Sequence, residues 1–211
     1  LQNNPASIVY IDGFNLYYGA LKGTSYKWLN LERFFSMLRP NDNIIKIKYF
    51  SAIVPNEPQK SRQESYIKAL KTTPKVEIIL GKFKKKNVKC LIPRCNYSGS
   101  KKFQVYEEKR TDVNIGISLI DDVFTNQCEQ FIIVSGDSDL VPAMQKIHVI
   151  NPQKKIIVYV PANNAIRGAA TEIRNTADKN KTLPNRLLPL SQFPSSITDT
   201  NGNIIYKPKE W

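Results

Sequence analysis

What this chain does without narrows its chemistry before any motif is considered. It has one histidine, His148, in 211 residues, so acid–base schemes built on two histidines and histidine-rich zinc sites are closed to it. Its three cysteines, Cys90, Cys95 and Cys128, are an odd number for a chain of this length, which argues against a disulfide framework. Cys90 and Cys95 have no second pair to complete a zinc site, so they read as idle thiols. No apolar run nears the ~18 residues that a membrane span needs, and no basic-then-apolar leader marks the N-terminal stretch. Together these absences predict a cytoplasmic protein with no membrane role. Gly-rich phosphate loops of the dinucleotide or Walker type are missing, and Ser135 and Ser138 lack a histidine partner for a nucleophilic triad.

What is present is positive charge. Lys and Arg number 31 against 18 Asp and Glu, a formal net charge of +13. A balance this basic favours a polyanionic partner. The excess is also localised. Residues 82–110 hold ten basic residues against Glu107 and Glu108, a net +8 in one segment. With 41% hydrophobic residues the chain also has enough apolar surface for a core.

Short β-branched runs alternate with helical patterns. Strands are predicted at 8–11, 44–53, 76–80, 131–135 and 156–160, and helices at 31–38, 58–72, 111–125, 139–149 and 164–176. Val113, Ile117, Ile120 and Phe124 make the apolar stripe of the 111–125 helix. Residues 82–89 read as a short strand or hairpin arm, 90–106 as a loop, and 197–206 as a hairpin with a two-residue turn at Asn201-Gly202. The alternation implies an α/β fold with a mostly parallel five-stranded sheet and helices on both faces. The expected domain runs over 1–183, and 184–211 is an extension packed on it or on a partner subunit.

The chemistry concentrates in aspartates. Ile132-Ile133-Val134 runs into Ser135-Gly136-Asp137-Ser138-Asp139, a buried strand that ends in a turn. Asp139 sits where a helix N-cap belongs, with Pro142 in the first turn. A cap explains one aspartate and leaves Asp137 without a role. Asp12 follows the first strand in the same way. Strands one and four are natural neighbours across the switch point of such a sheet, so Asp12 and Asp137 should meet at one crevice. Asp112 begins the 111–125 helix, where an acid is often present for the dipole alone, worth ~0.3–1 kcal/mol. Asp121 and Asp122 are expected to be solvated or locally paired. Were Asp12, Asp112, Asp137 and Asp139 to share one crevice, each pair ~4 Å apart would repel by roughly 4 kcal/mol at an effective dielectric of about 20. Such a group must bind a cation or stay partly protonated, and oxygen ligands of this kind select Mg²⁺ or Mn²⁺. Beside a basic patch, that points to phosphoryl chemistry on nucleic acid.

Three ordered motifs, Tyr10-Ile-Asp12-Gly-Phe-Asn15-Leu16, Glu108-Lys109-Arg-Thr-Asp112-Val-Asn-Ile115 and Ser135-Gly-Asp137-Ser-Asp139-Leu-Val-Pro142, resemble the NYN domain in its LabA-like branch, within the PIN-like ribonuclease fold. The resemblance spans about residues 7–180, and Ile204–Trp211 is similar to the tail of some members. It implies a Rossmann-like (PIN-like) sheet and a Mg²⁺- or Mn²⁺-dependent (endo)ribonuclease. By position, Asp12, Asp112 and Asp137 would bind the metal and Asp139 would be an outer acid. Asn15 would orient the site, and Ser135 and Gly136 would support the turn. RNA would be held by Lys82, Lys84, Lys85, Lys86, Lys101, Lys102, Lys109 and Arg110, while Tyr17, Tyr18, Phe83 and Phe103 stack on bases or simply pack in the core. Small nucleases of this kind often pair, so a homodimer is among the expected assemblies. Two rival readings stay open: an RNA-binding module that cleaves poorly or not at all, and a metal-dependent phosphatase of small phosphoesters.

Overall fold

Every residue of Ile8–Ile11 is buried, the mark of a central strand covered on both faces. The computed structural model describes residues 4–163 and 170–211. In chain order they form β1 (Ala6–Asp12), α1 (Gly13–Leu16) continuing as a π-helical turn (Tyr17–Leu21), α2 (Leu31–Leu38), β2 (Asn43–Ser51), α3 (Gln59–Leu70), β3 (Val76–Leu80), β4 (Lys82–Lys89), β5 (Lys102–Lys109), α4 (Thr111–Phe124), β6 (Gln130–Val134), a 3-10 turn (Ser138–Leu140) leading into α5 (Val141–Ile150), β7 (Lys155–Val160), α6 (Thr171–Thr176) and β8 (Lys179–Thr182). Short turns then lead to the hairpin of β9 (Ser196–Thr198) and β10 (Ile204–Tyr206). The helix expected over 164–176 is described only from Thr171, because 164–169 lie outside the described residues.

The sheet order is β3-β2-β1-β6-β7-β8, with every pairing parallel. The fold is thus α/β with a parallel sheet, as expected. Among the described residues it has six strands and not five. The sixth, β8, has the sequence Lys179-Asn180-Lys181-Thr182 and is exposed throughout. It carries none of the apolar pattern that reveals a strand and is held by its ladder to β7. The chain moves one way from β1 through β2 to β3, then returns to the other side of β1 at β6, which puts the switch point between β1 and β6.

Two cores sandwich the sheet. On one face α2, α3 and the π-helical turn pack with Trp28, Leu183, Leu188, Phe193 and Ile205. On the other, Ile115, Leu119 and Val123 of α4 pack with Met144 and Ile147 of α5. The segment after residue 184 joins the first core: Trp28 Nε1 donates to Pro194 O at 2.8 Å, and Phe193 N donates to Trp28 O at 2.9 Å. Its hairpin turn is wider than two residues, since the Asp199 carboxylate accepts from the backbone N–H of both Asn201 and Asn203.

Two further expectations fail for instructive reasons. The stripe Val113, Ile117, Ile120, Phe124 does not face the core: Val113 and Ile117 are each 62% exposed and Phe124 67%. The sheet receives Thr111, Ile115, Leu119, Asp122 and Val123 instead. Both sets have helical spacing, two residues out of step and so on nearly opposite sides. The set that wins carries Asp122, which is buried. It accepts from Tyr10 Oη at 2.6 Å and pairs with Lys48 Nζ at 2.7 Å, so it is neither solvated nor a local partner. The stretch 90–106 is also not all loop. Residues 102–109 form β5, antiparallel to β4 from Lys82↔Lys109 to Lys89↔Lys102.

Candidate metal centre and its surroundings

Asp12 ends β1 and is 4% exposed. Its carboxylate caps α1, accepting from Asn15 N at 2.9 Å on Oδ1 and from Asn15 Nδ2 at 2.6 Å on Oδ2. Ser135 Oγ, at the end of β6, donates to the same Oδ2 at 3.1 Å. Asn15 also reaches across the switch point, its Oδ1 accepting from Gly136 N at 3.2 Å. Ser135 Oγ in turn accepts from Asp137 N at 3.1 Å. The loops after β1 and β6 are therefore tied together by Asn15 and Ser135, and Asp12 and Asp137 are positioned by the same ties. Gly13 lets the start of α1 lie close against β2. A Cβ there would lie 2.7 Å from Phe50 O and 2.8 Å from the Tyr49 hydroxyl.

Asp112 arrives from α4 on the side that packs inward. Glu108 sets this start of the helix, its Oε1 accepting from Thr111 N at 3.2 Å and from the Thr111 hydroxyl. Arg110 between them takes a left-handed φ of 85°. Asp12, Asp112 and Asp137 each offer a carboxylate oxygen, and these atoms lie within 4.8 Å of one another. Among the described residues no Lys or Arg forms an ion pair with any of the three.

The electrostatics follow from that geometry. Burial pushes the Asp12 carboxyl up, against its bonds from Asn15 and Ser135. Burial and then the charges of Asp12, Asp137, Glu108 and Asp139 push Asp112 up from 3.8 to about 6. Three acids with no counter-cation among the described residues, all presenting hard oxygens, fit a divalent metal ion. Asp139 stands apart. It is exposed and outside the cluster, and its backbone N–H donates to Asp137 Oδ1 at 3.0 Å. Capping falls to Asp137 and not, as expected, to Asp139.

The basic segment is the β4–β5 hairpin, which rises from the same edge of the sheet, with Gly81 N donating to Ser51 O at 2.7 Å at its foot. Phe83 seats it on α1 through an edge-on contact with Phe14, ring centroids 5.8 Å apart. Lys82, Lys84, Lys85, Lys101, Lys102 and Arg110 are exposed. Lys86 and Lys109 are partly neutralised, both pairing with Glu107, at 3.3 and 2.9 Å. Lys101 and Lys102 lie at the far end of the hairpin, roughly 20 Å or more from Lys82 at the usual rise of a strand. Cys90 and Cys95 are unpaired thiols in the connecting loop. No helix among the described residues is long and apolar enough to cross a membrane.

The NYN domain family model matches residues 7–183. The chain belongs to the NYN domain family. NYN membership places it in the PIN-like nuclease superfamily, whose nucleases use divalent metals. Among curated proteins it is 30% identical to the 6-hydroxy-3-succinoylpyridine 3-monooxygenase HspA of Pseudomonas putida, covering 96% of this chain and 74% of that protein. Among solved structures it resembles VPA0982 of Vibrio parahaemolyticus, a protein of unknown function, with a TM-score of 0.54 and 18% identity over 87% of this chain and 96% of the other. That likeness shows the fold.

Sequence reasoning had no sign of the part played by Glu108 at the foot of α4, nor of an aromatic cavity beside Gly13 walled in part by Tyr49, Tyr66 and Trp211. Aromatics spread over β2, α3 and the C-terminal end look like core until the fold leaves a gap between them.

Proposed function

We propose that this NYN protein is a metal-dependent ribonuclease of the LabA-like branch, hydrolysing RNA phosphodiester bonds. One observation carries the reading: three carboxylates from β1, α4 and the loop after β6 converge within 4.8 Å at the foot of an exposed basic hairpin. Asp12, Asp112 and Asp137 hold Mg²⁺ or Mn²⁺. When bound, such an ion supplies Lewis acidity toward phosphate oxygens and makes water more acidic. Asn15 and Ser135 fix the Asp12 carboxylate, so that its oxygens do not reorganise as charge develops. The exposed Asp139 is an outer acid able to accept a proton at the open side of the site. Lys82, Lys84, Lys85 and Arg110 grip the strand through its phosphates, with Lys101 and Lys102 reached only by a longer RNA. Lys86 and Lys109 contribute less while Glu107 holds them.

The test is a labelled RNA incubated with Mn²⁺ and the wild type, Asp12→Asn or Asp137→Asn. Cleavage by the wild type alone supports the reading. Tight binding without cleavage in any sample assigns the chain to the RNA-binding alternative, and cleavage surviving in both variants means the site is elsewhere.

The likeness to HspA over nearly the whole chain favours a second reading, oxidation of a hydroxypyridine-type ring. That reaction also consumes dioxygen and a reductant. Turnover of a hydroxypyridine by the same preparations, aerated and supplied with a reduced nicotinamide cofactor, followed by absorbance, tests it.

A further inference from the structure

Gly13 is the partition between two spaces. On one side lies the acid cluster. On the other is a cavity of about 230 Å³ on the opposite face of the sheet edge, bounded by Gly13, Tyr17, Tyr49, Tyr66 and Trp211. The walls meet at steep angles, 90° between Tyr49 and Tyr66 and 66° between Tyr66 and Trp211, with ring centroids 6.1 and 5.9 Å apart. Clefts that take drug-sized ligands run to roughly 300–1,000 Å³, so this space suits one flat ring and not a folded chain.

The chemistry of the rim is as specific as the walls. Arg62, its side chain 20% exposed, pairs with the exposed carboxylate of Glu210, which sets donors and an acceptor side by side at the mouth. Lys27 also lines the cavity and makes no ion pair among the described residues. A ring edge carrying acceptors such as C=O or a ring nitrogen, alone or beside an N–H donor, finds matching partners there, whereas a plain hydrocarbon ring would leave them unused. The π-helical turn Tyr17–Leu21 supplies one wall, and such turns are frequent at functional sites. Phe14 and Tyr18, centroids 6.5 Å apart and nearly parallel, continue the aromatic surface from the mouth to Phe83 of the basic hairpin.

We propose that this cavity binds a planar nitrogen heteroaromatic ring, stacked against Tyr17 and Trp211 with its polar edge at Arg62 and Glu210. Two sources share that chemistry: an unpaired nucleobase of a strand lying along the hairpin, and a free heteroaromatic acid. The nucleobase source rests on the ribonuclease reading; the ring site itself does not.

The experiment is isothermal titration of the full chain in EDTA, so that binding is read without the metal centre. The probes are uridine monophosphate, adenosine monophosphate and nicotinic acid, with ribose phosphate as the ringless control. The site predicts saturable binding of ring-bearing probes, none for ribose phosphate, and a loss of roughly tenfold in affinity on Trp211→Leu or Tyr17→Leu, the scale of one aromatic stack. Binding of the mononucleotides alone assigns the nucleobase source, and binding of nicotinic acid alone assigns the free acid. Asp137→Asn, which does not touch α1, is the control for the other reading: it abolishes RNA cleavage and leaves ring binding intact. The proposal is overturned if no ring-bearing probe binds, if ribose phosphate binds as well as they do, or if both wall variants, folded by circular dichroism, bind unchanged.

Discussion

Ser135 Oγ donates to Asp12 Oδ2 at 3.1 Å across the gap between two strands that lie 123 residues apart in sequence. The bond joins the ends of β1 and β6, and with Asn15 it holds in place a buried carboxylate that has no cationic partner among the described residues. Ser135→Ala removes this donor and one acceptor for Asp137 N. The expected loss is about 1–3 kcal/mol of stability, the usual cost of leaving buried polar groups unpaired, together with weaker metal binding. Urea denaturation with and without Mn²⁺ measures both.

Protonation should stabilise the metal-free protein at Asp112. Its carboxyl is raised from 3.8 to about 6, so the folded state binds the proton more tightly than the unfolded chain does. The stability contributed is fully present below pH ~4 and is lost as pH rises through ~6. Asp112→Asn removes that dependence. In EDTA the melting temperature of the variant should therefore gain on the wild type between about pH 4 and about pH 7. A constant difference across that range contradicts the electrostatic account of the cluster.

Mn²⁺ or Mg²⁺ should reverse that penalty. An ion at a hundred times its dissociation constant stabilises by about 2.7 kcal/mol. Thermal melts should show this rise in the wild type and little or none in Asp12→Asn or Asp137→Asn.

RNA affinity should depend on salt through the lysines that make no ion pair among the described residues. Replacing Lys82, Lys84 and Lys85 with Gln should reduce the slope of log K against log salt by roughly 0.7 for each lysine–phosphate pair on a single strand, about 2 in all. Lys86→Gln and Lys109→Gln should each change it less, because Glu107 already pairs with both. Fluorescence anisotropy over a salt series checks the order.

The interior makes a separate prediction. Asp122→Ala strands the Lys48 ammonium, which is buried and has Asp122 as its ion-pair partner. A buried charge left without its partner costs about 3–5 kcal/mol, read by urea denaturation.

Much of this fold is legible in the sequence because β-branched runs and the aspartates that follow them are local signals. The burial of β1, the Ser135–Asp139 turn and the convergence on the switch point all follow from such runs. What stays hidden depends on distant partners. α4 offers two apolar stripes, and only the strand positions of Tyr10 and Lys48 decide that Asp122 turns inward and Val113 outward. β8 has no apolar pattern and exists through its ladder to β7. β5 is a polar strand whose partner is the equally polar β4. The choice of Asp137 over Asp139 as the cap turns on which backbone N–H the tight loop presents, and residue types cannot show that. The cavity beside Gly13 draws on residues from 13 to 211, so no window of sequence contains it.

The most direct measurement is the anomalous signal from a crystal soaked in Mn²⁺. The account predicts one strong peak, or a close pair, within coordination reach of the carboxylates of Asp12, Asp112 and Asp137, roughly 2.0–2.3 Å from their oxygens. A soaked crystal with no peak there, or with manganese bound only at other carboxylates, contradicts it.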